Sequence, residues 1–145
     1  MVVIRALQDF TSRMVRQIVL DVTANLIEDT PRDTGWAAAN WFPIIGGEGG
    51  AGAGRDASGR FTSRSDRPAP EDLQAGLQSA HATQQQLIAQ VATSFDMRVH
   101  DRVTIANKVP YINRLNEGHS RQAPAGFVQA AIARGVSGVR ALRTE

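Results

Sequence analysis

The chain has no cysteine. That excludes disulfides and thiolate metal centres, and it is compatible with a reducing compartment. Histidine is scarce: His81, His100 and His119 are not spaced as a metal pair on one helix face. No HExxH-type frame surrounds them, so no metal site is expected. Lys and Arg total 16, of which only Lys108 is lysine. Aromatic residues are 6% of the chain, which offers few platforms for stacking single-stranded bases. No stretch approaches the ~18 consecutive apolar residues that a membrane-spanning helix needs. Arg5, Asp9, Arg13 and Arg16 interrupt the apolar core that a secretory signal would require. The expectation is a soluble chain with no membrane partner.

What is present fits one globular domain over residues 1–145. The 145 residues, 42% of them apolar, suffice to bury ~68% of the unfolded surface. Formal net charge is only +2 although the sequence pI is near 9.9, because arginine supplies nearly all the basic groups. Arginine suits bidentate contact with carboxylates and phosphates, at nucleic acid or at a wet protein interface. It can equally reflect genome composition.

Residues 3–28 form a long amphipathic helix by spacing: Leu7, Phe10, Met14, Ile18, Val22 and Leu26 recur at three- and four-residue steps. Pro31 ends it. Asp33-Thr34-Gly35 is turn chemistry, and residues 41–45 read as a short or edge strand because Pro43 removes a ladder donor. Trp36 and Trp41 are either core packing or anchors of a subunit interface.

Residues 46–70 break the pattern, with six glycines in 46–54 followed by Arg55, Arg60, Phe61, Arg64 and Arg67. Such a segment reads as a long flexible loop, or as an arm that orders on a partner with Phe61 as its apolar anchor. It lacks the GKS or GKT ending of a phosphate-binding loop. Residues 70–93 are helical, in one piece or two, with an apolar stripe at Leu73, Leu77, Ala80, Leu87, Ile88 and Val91. Residues 95–107 alternate as one or two strands with Val99, Val103 and Ile105 inward. Pro110 opens a short helix to residue 116, which Gly118 stops. Residues 122–126, including Pro124 and Gly126, form the next break. A last helix starts at Phe127 and runs to about Gly135, with Leu142 as its furthest extent. Residues 135–145, with Arg140 and Arg143, form a flexible or partner-dependent tail.

Chemistry is sparse. His119, Ser120 and Glu117 are adjacent in sequence, whereas a triad gathers its members from separate elements, so capping is the simpler role. Asp33, Asp101 and Glu117 supply carboxylates with nothing to pair them. No catalytic residue, cofactor or enzyme activity is expected.

Three pieces of sequence carry a resemblance. The first is the N-terminal helix leading into TPRDTG at residues 30–35 and then Ala39-Asn40-Trp41. The second is IANKVPY at residues 105–111. The third joins LNEGHS at residues 115–120 to QAPAGFV at residues 122–128. In this order and spacing the chain resembles the tail-completion, or neck, proteins of long-tailed bacteriophages. It departs at Arg32, which is often apolar in that family, and in the 46–70 loop. The resemblance implies an α+β fold: a small, mostly antiparallel sheet packed against the long N-terminal helix and further helices, with a long flexible Gly/Arg-rich loop. It also implies a structural virion protein, made in the host cytoplasm. Such a protein joins the tail to the head connector as a ring, a hexamer by the same likeness. Its partners would be further copies of itself, a head-completion or connector protein, the tail-tube protein, and DNA passing through without sequence recognition. The different class left open by the arginine content is a basic DNA-binding accessory protein, whose affinity would fall steeply with salt.

Overall fold

Between Val2 and Asp29 the chain contains neither glycine nor proline, and in the computed structural model these residues form one uninterrupted helix, α1. At 1.5 Å per residue it is about 42 Å long. The structure describes residues 2–31, 36–46, 70–107, 109, 112, 116–118 and 125–138. The helix closes where the Thr30 amide and hydroxyl both donate to Leu26 O and Pro31 prevents a further turn. A one-turn helix, α2 (Trp36–Ala39), follows, then strand β1 (Phe42–Ile45), helix α3 (Pro70–Ser94), strand β2 (Val103–Ala106) and helix α4 (Phe127–Gly138).

The two strands pair antiparallel, with Phe42 opposite Ala106 and Ile45 opposite Val103. Gly46 N donates to Arg102 O at 2.8 Å and extends the pairing one step. Opposed pairs alternate between bonded and non-bonded. Pro43, opposite Ile105, therefore occupies a non-bonded pair, and its missing N–H costs the sheet no bond with β2. The fold is α+β, as expected, with a long N-terminal helix and a small antiparallel sheet.

The main core gathers Val22, Leu26, Trp41, Phe127 and Ala131. α4 runs antiparallel to α1. Asn25 Nδ2 donates to Ala131 O at 3.2 Å, Gly135 lies against Val22, and Gly138 lies beside Asp21. A second cluster sits under β1 and α3, at Ala39, Phe42 and Ala80. Ala37, Ala38 and Ala39 are all buried; small side chains let α2 sit close to its neighbours.

Several expectations change. α3 is a single helix through Ser94, not two pieces: Gly76 and the glutamine run interrupt nothing. Residues 95–102 are not strand, and Val99 points to solvent. Local bonds win there: His100 N and Val99 N both donate back to Asp96 O, and Arg98 N donates to the Asp96 carboxylate at 2.9 Å. The last helix runs to Gly138, within the extension towards Leu142 that the sequence allows, so what changes is that residues 135–138 belong to the fold and not to a tail. On α1, Val22 and Leu26 are buried but Leu7 is exposed, while Ser12 and Thr23 on another face are buried. α4 covers one side of the helix at Val22 and Leu26, and the turn after α3 meets it at Ser12, a situation that a single amphipathic stripe does not describe.

Candidate functional site

The residues that mark the joints sit where the elements meet. Trp41 is buried and its indole Nε1 donates to Thr30 Oγ1 at 2.8 Å, which ties the end of α1 to the start of β1. Of its two roles weighed above, core packing is the one observed, so Trp41 is not an interface anchor. The Trp36 side chain lies outside the described atoms. Pro31 is buried at the end of α1.

Asn107, just past β2, uses both ends of its amide. Nδ2 donates to Ala37 O at 2.8 Å, and Oδ1 accepts from Val109 N at 3.0 Å. It fastens the exit of the sheet to α2. Asn116 does the same work for α4: its backbone O accepts from Gly126 N at 2.7 Å, and its side-chain Oδ1 accepts from Val128 N at 3.0 Å, one of the helix's unpaired first-turn donors. Between them Gly118 (φ +94°) and Gly126 (φ +79°) take left-handed conformations, and a Cβ on Gly118 would press within 3.0 Å of the Ala125 methyl. Gly118 follows helical Asn116 as a C-terminal stop would. Gly35, Pro110 and Pro124 lie outside the described residues.

One polar residue was not foreseen. Gln84 is buried on α3, and its Nε2 donates to both Ala38 O and Trp41 O at 3.0 Å. It satisfies the Ala38 carbonyl that α2 leaves open at its end and the Trp41 carbonyl just before β1. The signal was present as spacing: 77, 80, 84, 87 and 91 step by three and four, so Gln84 stands in the middle of the apolar stripe.

Where α3 ends, its following turn is fastened to α1. Met97 N donates to Ser12 Oγ at 2.9 Å, and Arg16 Nη1 donates to Phe95 O at 2.7 Å. Arg98 grips Asp96 with two parallel bonds, Nε to Oδ1 at 3.0 Å and Nη2 to Oδ2 at 2.8 Å, and lies 3.4 Å from Asp9. The Arg98 side chain, and next its backbone N–H, hold the Asp96 carboxyl down at about 2, below the usual 3.8. The His100 ring stacks on Phe95 at 5.8 Å, and its Nδ1 accepts from Asp96 N at 3.2 Å. His100 is thus a packing and turn residue.

Arginines within the described region are largely engaged in the fold: Arg16 and Arg98 as above, Arg134 with Asp29 at 2.8 Å, and Arg13 over the Phe10 ring. The interface candidates Arg55, Arg60, Phe61, Arg64, Arg67, Arg140 and Arg143 lie outside the described residues, as do His119 and Ser120. Among the described residues no group of three His, Asp or Glu could hold a metal ion, and no helix is long and apolar enough to cross a membrane. Among the described residues, the exposed large apolar side chains are Val3, Ile4 and Leu7 on α1, Met97 and Val99 in the turn, and Ile132 and Val136 on α4.

No protein-family model, curated protein or solved structure matches this chain.

Proposed function

We propose that this chain is a structural joining protein of a phage neck, completing the top of the tail and connecting it to the head as a ring around the DNA channel. The observation that carries the reading is the convergence of the three resembling sequence pieces on one set of joints. Thr30 and Trp41 come from the first, Asn107 and Val109 from the second, and Asn116, Gly118, Gly126 and Val128 from the third. Asn107 bonds across to α2 inside the first piece, and the third piece caps the helix that packs on α1. Residues that look ornamental in sequence thus have a shared architectural purpose, which is what a family signature without a catalytic site would consist of.

On this reading the protein works by fit. Rigid helices present surfaces to neighbouring copies, and the 46–70 segment together with the arginines at 140 and 143 meets the head-side or tail-side proteins. The basic DNA-binding alternative draws less support, because Arg16, Arg98 and Arg134 are spent on internal bonds. Electron microscopy of particles assembled without this protein tests the reading. Separate heads and tails are expected; normal, joined particles would end it.

A further inference from the structure

His100 holds both backbone polar groups of Asp96. Its own N–H donates to Asp96 O at 2.8 Å, and its ring Nδ1 accepts from Asp96 N at 3.2 Å. The ring lies over Phe95, with centroids 5.8 Å apart and planes 25° from parallel, and Phe95 is itself buried. The residues on either side of Asp96 fasten this turn to α1: Phe95 O accepts from Arg16, and Met97 N donates to Ser12. A neutral imidazole has one nitrogen that donates and one that accepts. The bond from Asp96 N therefore assigns the ring proton to Nε2. An imidazolium carries a proton on both nitrogens and cannot accept at all. Imidazole is also the side chain that ordinarily changes charge between about pH 8 and pH 5.

We propose that the His100 ring is a pH-sensitive latch on the turn that joins α3 to α1, closed while the ring is neutral and opened at Asp96 N when the ring is protonated. The direction follows from the bond: it is present at the alkaline end of the range and lost as pH falls. The surrounding charges are few. α3 has no ionised side chain after Asp72, and its own histidine, His81, stands near its middle. β1 and β2 contain no ionisable side chain. α1 contributes Asp9, Arg13 and Arg16: Asp9 lies 3.4 Å from Arg98, Arg16 is bonded to Phe95 O, and Arg13 sits over the Phe10 ring. The segment itself adds Asp96, Arg98, Asp101 and Arg102. The Asp96 carboxyl, held down at about 2, is ionised wherever imidazole titrates. That carboxylate and the C-terminal end of α3 both attract a cation. Acid therefore does not expel the ring from the region. It makes the ring turn, to donate where it had accepted, and turning takes it off Asp96 N and off its stack on Phe95. This device belongs to the fold and does not depend on the neck reading.

NMR of the full chain reads both halves of the latch. At about pH 8 the ring nitrogens should show the proton on Nε2. As the ring becomes protonated towards about pH 5, the Asp96 amide should lose roughly five- to tenfold of its hydrogen-exchange protection, after correction for the intrinsic rate. Two variants bracket the change. In His100→Gln the side-chain carbonyl can still accept from Asp96 N and does not titrate, so protection should stay flat across the range. In His100→Phe a ring remains against Phe95 but no acceptor does, so Asp96 N should be as poorly protected at the alkaline end as in wild type at the acid end. Four results would each overturn the latch: the proton found on Nδ1 at the alkaline end, a ring still neutral at the acid end, unchanged Asp96 protection while the ring titrates, or the same loss in the glutamine variant. The first three are read on the wild-type chain, so they stand even if a variant fails to fold.

Discussion

The backbone of Gly135 lies directly against Val22. A Cβ built on Gly135 would come within 3.0 Å of the Val22 amide nitrogen and would overlap the Val22 side chain. α4 and α1 approach closely here, and Phe127 and Ala131 pack onto Val22 and Leu26. Glycine is there for proximity, since its φ is not in the left-handed region.

Gly135→Ala should therefore destabilise the fold even though alanine is the better helix former. The gain in propensity is about 1 kcal/mol, while forcing a methyl into packed backbone costs about 1–3 kcal/mol and can cost more when the obstruction is rigid. A net loss is expected, read as a lower urea midpoint with an unchanged slope. Gly138→Ala is the matched control, because its added Cβ would sit at an ordinary 3.4 Å from Asp21 Oδ2 and should be neutral or stabilising. Equal effects at both positions would show that helix propensity, not proximity, governs.

Asn107 joins β2 to α2 through both ends of its amide. Asn107→Ala leaves Ala37 O and Val109 N without these partners, next to the buried Ala37 and Val109 side chains. Each unsatisfied buried group costs about 1–3 kcal/mol. Asn107→Asp keeps the acceptor for Val109 N but loses the donor to Ala37 O, so it should fall between wild type and alanine. Thermal melts of the three proteins check the order; an aspartate variant no better than alanine would place the importance of this residue in the Ala37 bond alone.

Much of this fold was legible in sequence, for identifiable reasons. α1 is long and free of breakers, so its limits were set by Pro31 and fell within a residue of the observed ones. Gly118 and Gly126 were legible because left-handed backbone strongly favours glycine. Gln84 was not, since a glutamine within a polar run resembles a solvated face until the carbonyls of Ala38 and Trp41 arrive from elsewhere in the chain. The turn at 96–100 was misread as strand for the same kind of reason. Val99 continues the alternation of Val103 and Ile105 and so imitates a strand, and only the hydrogen bonds gathered by Asp96 distinguish it. The apolar surface of α1 at Leu7 was read as core because periodicity shows which face is apolar but not how far the covering helix extends.

Thr23 on α1 is fully buried, and its hydroxyl has no hydrogen-bond partner. Burying such a group unpaired costs about 1–3 kcal/mol. Thr23→Val keeps the branched shape and removes the hydroxyl, so it should raise stability by about 1 kcal/mol. Thr23→Ser keeps the hydroxyl, loses a methyl and should destabilise. Urea titration of both variants decides it. A less stable valine variant would mean that the hydroxyl is satisfied in solution, for instance by a buried water.

The last prediction concerns Asp96, whose carboxyl is held down at about 2 by the Arg98 side chain first and the Arg98 amide second. Because the folded value is depressed below the usual 3.8, the stabilisation is fully present above that value and is lost as pH falls towards 2. The group is at the surface, so the effect is modest and is weakened by salt. In Asp96→Asn the decline in stability between about pH 4 and pH 2 should be shallower than in wild type, with little change at neutral pH beyond the loss of the pair itself. A carboxyl titration followed by NMR should show Asp96 protonating well below the usual 3.8. If Asp96 instead titrates near 3.8 in the folded protein, the Arg98 grip is not maintained in solution, and the attachment of this turn to α1 rests on Ser12 and Arg16.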